Sequence, residues 1–151
     1  MISHIAIDTS VLVGLLNPRD IWHKHAQALH DAILQTNIIP AYFDCAVSEA
    51  ISTAIRRLQE KRFHHEVLSL FDLLDARIPR QSLTWILPDV PRLYANVLAL
   101  MRASSGELNF NDALIALACR EREIPAIDSF DVDFDQVTWL KRVANPEDFH
   151  E

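Results

Sequence analysis

Short apolar runs near residues 4–8, 38–43, 83–87 and 124–128 are separated by stretches long enough for helices, and a fifth run near 137–141 follows closely. Strands alternating with helices have few ways to fold. Parallel pairing needs a crossover between strands, and the crossover helices cover the faces of the sheet. The pattern therefore predicts an α/β chain with three α/β/α layers around a central, mostly parallel sheet.

Helical periodicity fills the gaps. Helices are expected near 10–16, 22–36, 45–60, 63–76, 91–104 and 110–122. The clearest stripe is Val47, Ala50, Ile51, Ala54, Ile55 and Leu58, spaced i, i+3, i+4, i+7, i+8 and i+11. Another runs Leu93, Tyr94, Val97, Leu98 and Met101, with Gly106 as a stop signal beyond it. No linker, repeat or low-complexity segment interrupts the series, so residues 1–151 are expected to form a single domain. At 50% hydrophobic residues the chain can build one sizeable core. No apolar run approaches the roughly 20 residues of a membrane span. Cys45 and Cys119 lack metal-type spacing and read as apolar residues in a reducing compartment. A cytoplasmic location and no membrane partner are expected.

The acidic residues fall where such a sheet would deliver its strand ends and helix starts. Asp8 closes the run His4-Ile5-Ala6-Ile7, Asp112 opens the apolar helix Ala113 to Cys119, and Asp131 and Asp133 follow Ile124-Pro125-Ala126-Ile127. In open α/β sheets ligands bind beyond the carboxyl ends of the strands, so these carboxylates can converge on a divalent cation. Each also has a plainer reading. Asp8, before Thr9-Ser10, could cap a helix, and Asp112 could sit in a first turn capped by Asn109. Glu49 lies almost opposite its helix's apolar stripe, beside Ser52, Thr53 and Arg56, as a solvated surface residue would. Its first-turn position still puts it near the end of the preceding strand. In Asp128-Ser129-Phe130-Asp131-Val132-Asp133-Phe134-Asp135 four carboxylates fall within eight residues, two of them expected to face water.

Other chemistries lack their residues. An EF-hand counted from Asp131 would put Gln136 at the glycine position and Arg142 at the bidentate glutamate. The histidines 23, 25, 30, 64 and 65 fall on polar helix faces or helix starts, most of them at the surface, with no His-Glu-x-x-His among them. With Gly14 and Gly106 as its only glycines, the chain has no phosphate-binding glycine loop and no nucleophile elbow. The formal charge of −7 opposes general polyanion binding, because affinity for nucleic acid depends on neutralising phosphates. Four or five of those charges belong to the proposed site and would be offset by bound metal. Arg also outnumbers Lys, eleven to three, and Arg56, Arg57, Lys61 and Arg62 lie together. Arg is the better phosphate grip. The charge balance thus weakens the nucleic-acid reading and leaves it standing.

Four segments together, Ile7 to Val13, Ala46 to Ala50, Leu108 to Ala116 and Ile127 to Phe134, resemble in order and spacing the motifs of PIN-domain ribonucleases, and within these the VapC-like toxins of toxin–antitoxin pairs. The resemblance spans essentially the whole chain. It implies that Asp8, Glu49, Asp112 and Asp131 form the catalytic, metal-binding quartet. Asp133 corresponds to a frequent further metal-binding acid, and Ser129 to the hydroxyl residue that orders the site. Asp128 departs from the pattern by standing where an apolar residue is usual. The resemblance implies cleavage of RNA with Mg²⁺ or Mn²⁺ by two-metal-type phosphodiester hydrolysis, a possible cognate antitoxin, and a homodimer. Apolar residues of the helices near 45–76, in excess of one stripe each, agree with the last expectation. Arg56, on the same helical face as Glu49, is the candidate RNA-binding residue.

Two other classes remain: a haloacid-dehalogenase-like metal-dependent phosphatase, whose Asp-x-Asp motif fails because position 10 is Ser, and a catalytically silent PIN-like interaction module, against which a complete acidic set argues.

Overall fold

The computed structural model describes residues 1–150. Five strands, β1 (His4–Ile7), β2 (Ile39–Phe43), β3 (Leu83–Thr84), β4 (Ala126–Asp128) and β5 (Lys141–Val143), form one sheet. All four pairings are parallel, in the order β3-β2-β1-β4-β5. The helices are α1 (Thr9–Leu16), α2 (His23–Leu34), α3 (Asp44–Glu60), α4 (Val67–Arg77), α5 (Val90–Ala103) and α6 (Phe110–Glu121). This is the expected three-layer α/β/α arrangement. Ile5, Ala6 and Ile7 of the central β1 are all buried, which requires helices over both faces of the sheet.

The strand order sets where the sheet can take a ligand. From β1 the chain steps outward through β2 to β3, then returns to lay β4 on the opposite side of β1 and β5 beyond it. Neighbouring connections therefore diverge at the carboxyl ends of β1 and β4, the crevice where open α/β sheets bind ligands. Asp8 leaves one of these ends and the loop from Ser129 leaves the other. The register locks them together: Ile7 pairs with Asp128, and the Asp8 N–H donates to the Asp128 carbonyl at 3.0 Å.

The buried α1 carries apolar residues all round, as an interior helix does, with Val11 through Leu16 shielded from solvent. It packs between α2 and α3, and Gly14 is where α2 comes closest. A Cβ on Gly14 would stand 2.8 Å from that of Ala26 and 3.4 Å from the Trp22 carbonyl oxygen.

Two predicted strands differ in the structure. The strand expected near 83–87 ends at Thr84, because the Ile86 and Leu87 N–H groups turn away to the buried Asp44 carboxylate at 2.9 and 3.1 Å, and Pro88 has no N–H to continue a ladder. The last strand lies at 141–143 rather than 137–141. Val137 and Leu140 do enter the core, but from successive turns that close onto Phe134 and Val137. The helix expected from 63 begins with a single 3-10 turn at His64–Glu66. One histidine assignment is corrected: His30 is buried, its Nε2 2.7 Å from the Tyr42 hydroxyl, because this face of α2 lies on the sheet.

Gly14→Ala should lower stability by about 1–3 kcal/mol, the usual cost of overpacking, which outweighs the gain in helix propensity of about 1 kcal/mol. Thermal melting checks this, and adding Ala26→Gly should restore part of the loss. A single variant as stable as the parent would show that α1 and α2 do not meet this closely.

Candidate functional site

Asp8 occupies the N-cap position of α1, where the Thr9 and Ser10 N–H groups lie close to its carboxylate without a well-aligned capping hydrogen bond. Instead Oδ2 accepts from the Ser10 hydroxyl at 2.9 Å and the Ser129 hydroxyl at 2.7 Å. Those hydroxyls also accept, Ser10 from the Phe130 N–H at 3.1 Å and Ser129 from the Asp131 N–H at 3.0 Å. Two serines thus tie the β1 carboxylate to the loop after β4. The other oxygen, Oδ1, is buried and has no hydrogen-bond partner. Burial pushes the Asp8 carboxyl above its ordinary range, and the Ser129 and Ser10 hydroxyls, with the Thr9 and Ser10 N–H groups after them, oppose that rise.

Asp112 sits in the first turn that Asn109 caps, as its plainer reading has it, and its side chain also reaches the acidic cavity. Asn109 Oδ1 accepts from the Asp112 N–H at 2.8 Å and Asp112 Oδ2 accepts from the Asn109 N–H at 3.1 Å, a complete capping box at the start of α6. The cap also aims its carboxyl into a cavity of about 300 Å³, whose walls include Asp8, Ser10, Glu49, Thr53, Asn109, Asp112 and Asp131. There its pKa is pushed up to about 7, first by burial and then by the charges of Asp8, Asp131 and Glu49, against the opposing Asn109 N–H.

Glu49 overhangs the same cavity from the first turns of α3. It is half-buried rather than solvated, and Asn111 Nδ2 donates to its Oε2 at 3.0 Å. Asp131 uses Oδ1 to cap the following 3-10 turn, accepting from the Asp133 N–H at 2.9 Å. Asp133 stands outside the cavity wall, with its carboxyl pushed up chiefly by the neighbouring Asp131 charge. Arg56 lines the cavity, as does Arg57, and its nearest acidic partner is Glu60 at 3.8 Å.

Of the loop's four aspartates two reach solvent, as expected, Asp133 in part and Asp135 with its side chain 57% exposed, whereas Asp128 turns inward. Asp135 is held by Arg142 through two bonds of 2.7 and 3.2 Å. Asp128 is fully buried, with neither carboxylate oxygen partnered and a pKa raised to about 8 by burial and the Asp8 charge. Side chains alternate along a strand, so Asp128 shares its sheet face with its register partners Ile7 and Val143.

The structure thus brings Asp8, Glu49, Asp112, Asp131 and Arg56 to one cavity, lays Ser129 beneath them and leaves Asp133 at the margin. Sequence reading assigned no site role to Ser10, Asn111 and Arg57. For the first two the available signal was a polar residue two places after, or one before, a site acid. As the side chains stand, no three His, Cys, Asp or Glu among the described residues close on one point tightly enough to clasp an ion unaided. A larger cavity of about 470 Å³ lies between α1, α3 and α4, but its one acid, Glu66, is taken by Arg19 at 2.8 Å.

A family model for the PIN domain matches residues 5–140. Among solved structures, the VapC20 toxin of Mycobacterium tuberculosis, described as cleaving the sarcin–ricin loop, superposes with a TM-score of 0.68. It is 20% identical in sequence, and the match covers 89% of this chain and 95% of that one. No curated protein sequence matches this chain.

The crowded acids give a pH test. Because the folded pKa of Asp112 stands near 7 and its ordinary value is 3.8, its contribution to stability is full below the lower value and is lost as pH rises through the higher. In EDTA, the Asp112 contribution should therefore lower the melting temperature as pH rises from about 4 to about 7, and Asp112→Asn, which keeps the cap, should flatten that fall. Identical pH profiles for the two proteins would show that Asp112 is not crowded.

Proposed function

This chain belongs to the PIN domain family, and from that premise we propose that it is a metal-dependent ribonuclease. It hydrolyses phosphodiester bonds of single-stranded or structured RNA by two-metal-type chemistry and acts as the toxin of a toxin–antitoxin pair. The observation that carries this reading is the half-satisfied Asp8 carboxylate: one oxygen fixed by two hydroxyls, the other buried without a partner, beside an Asp112 whose pKa is pushed to about 7. A cation would complete that oxygen and offset the crowding.

The donor chemistry suits Mg²⁺ or Mn²⁺. Hard cations take oxygen ligands, and Mg²⁺ binds through one or two carboxylates while keeping several waters, so a set that does not close on itself is appropriate. Asp8, Glu49, Asp112 and Asp131 would hold the metal, with Asp133 as a further acid at the rim. When bound, it supplies an attacking water of lowered pKa and charge stabilisation for the leaving oxygen. The other residues position these: Ser10 and Ser129 orient Asp8, Asn111 orients Glu49 and Asn109 orients Asp112. Arg56 and Arg57, which also line the cavity, offer guanidinium groups to the phosphate.

The activity of the structural relative supports RNA as the substrate class and the toxin role. The phosphatase alternative has lost its support, since Ser10 serves Asp8 as a donor and supplies no second acid. A homodimer and a cognate antitoxin belong to the same proposal; Leu68, 75% exposed, and Phe71 on α4 are apolar surface available to such partners. No helix is long and apolar enough to cross a membrane among the described residues.

The purified protein should cleave single-stranded RNA with Mg²⁺ or Mn²⁺ and stop in EDTA. Asp112→Asn should abolish cleavage with the fold intact, whereas Asp135→Asn, at a surface ion pair, should leave it near the parent rate. Intact RNA in every condition, or a fully active Asp112→Asn protein, would overturn the reading. In binding assays across salt concentrations, Arg56→Ala should weaken RNA affinity and lower the salt slope by about 0.7, the counterion term of one single-strand phosphate contact. An unchanged slope would return Arg56 to the solvated surface.

A further inference from the structure

We propose that the indole of Trp22 is a stacking platform for an unpaired base of the RNA strand beside the bond to be cut. The proposal rests on the ribonuclease reading and names the form in which that site takes its substrate.

Trp22 is pinned on one side and open on the other. Its ring stacks on Phe130 with centroids 5.1 Å apart and planes 24° from parallel, and His25 closes on both rings edge-on at 5.9 and 5.2 Å. Even so, Trp22 is 47% exposed. The loop that carries it is fixed before any ligand arrives. Asp20 Oδ1 accepts from the Trp22 N–H at 2.9 Å, Asp20 Oδ2 accepts from Arg57 Nη1 at 2.8 Å, and the Trp22 carbonyl accepts from the Ala26 N–H at 2.8 Å. A platform ordered in advance loses little freedom on binding.

Its position is tied to the acidic site. Phe130, the floor of the stack, directly precedes Asp131, and its N–H is held by the Ser10 hydroxyl that also grips Asp8. Trp22 also lines a cavity of about 390 Å³ with Arg57 and Lys61 and with two acids, Asp20, held by Arg57, and Glu60, 3.8 Å from Arg56; Arg57 is also a wall of the acidic cavity. The two hollows therefore meet at one guanidinium. Asp20 occupies one of its nitrogens, leaving further N–H groups for phosphate. A strand threaded along this wall would set a phosphate among the carboxylates, pass Arg57, and lay the adjoining base on the indole. Aromatic faces alternating with cations are how proteins hold single strands, with little regard to sequence because every base has a π face. An apolar side chain of a protein partner could also cover an indole, but would have no use for the flanking Arg57 and Lys61.

The test compares steady-state cleavage of a short single-stranded RNA by the parent, Trp22→Ala and Trp22→Tyr with Mn²⁺. Trp22→Ala should raise KM about 5- to 150-fold, the range for losing one base stack, with kcat little changed and Trp22→Tyr close to the parent. An abasic residue, moved in turn through the positions flanking the cut, should at one position raise the parent's KM to that of Trp22→Ala and leave the variant unaffected. A Trp22→Ala protein with the parent's KM overturns the proposal and assigns the indole to a protein contact. So does a KM penalty that is the same on intact and abasic RNA at every position, which marks a structural role. A parent that cleaves no RNA defeats the ribonuclease reading instead. The base platform is then judged by fluorescence: single-stranded oligonucleotide should quench the parent but not Trp22→Phe, in which Trp85 and Trp139 remain, and equal quenching in both overturns it.

Discussion

A carboxylate taken out of water must be neutralised, hydrogen-bonded or paired, and Asp8 at the end of the central strand meets that requirement only by half. Its satisfied oxygen draws Ser10 and Ser129 together, and the same hydroxyls hold the Phe130 and Asp131 N–H groups. The loop after β4 is therefore anchored to one buried acid and shaped further by its own turns, in which Ser129 and Asp131 accept from the N–H groups two residues on. Removing the Asp8 carboxylate would leave the Ser10 and Ser129 hydroxyls without their shared acceptor, in a loop that Arg142 and the bond from the Ser129 N–H to the Val143 carbonyl still hold.

The charge placement has the same logic. Acids from β1, α3, α6 and the loop after β4 crowd one cavity, while the guanidinium groups of Arg56 and Arg57 stand on its wall. A net charge of −7 is thus a poor guide to what the surface near the site attracts. Arg142, by contrast, is spent internally, binding Asp135 and the Ser129 carbonyl and so buttressing the loop from behind.

Much of the layout was legible from periodicity. The α3 stripe, the apolar α6 and the runs at β1, β2 and β4 appear within a few residues of their predicted places, because burial on one or both faces dictates their pattern. The helix α5 also forms where expected, but of its stripe only Leu93 and Val97 are buried, with Tyr94 and Leu98 exposed. The failures have local causes that periodicity does not carry. A buried acid, Asp44, 42 residues away in sequence from Ile86, captures N–H groups that would otherwise extend β3. Val137 and Leu140 are as apolar as strand residues but reach the core from turns. At the site, Glu49 was placed at the surface by its helical wheel, which cannot register that Asn111 arrives opposite it. Asp128 could not be separated from Asp131 and Asp133 by spacing alone; the register with Ile7 is what turns it into the sheet. His30 is similar, since only the meeting of α2 with Tyr42 hides it.

The bond between Ser129 and Asp8 spans 121 positions of sequence, and it bridges the first strand to be synthesised and the fourth. Contacts of such separation form late and slowly, because the loop they close must first be ordered. A nascent chain can pair β1 with β2 and wrap α1 to α3 around them while the far half of the acid cluster has yet to be made. The acid cluster is therefore incomplete on the growing polypeptide by topology alone, and it stays so until β4 docks beside β1.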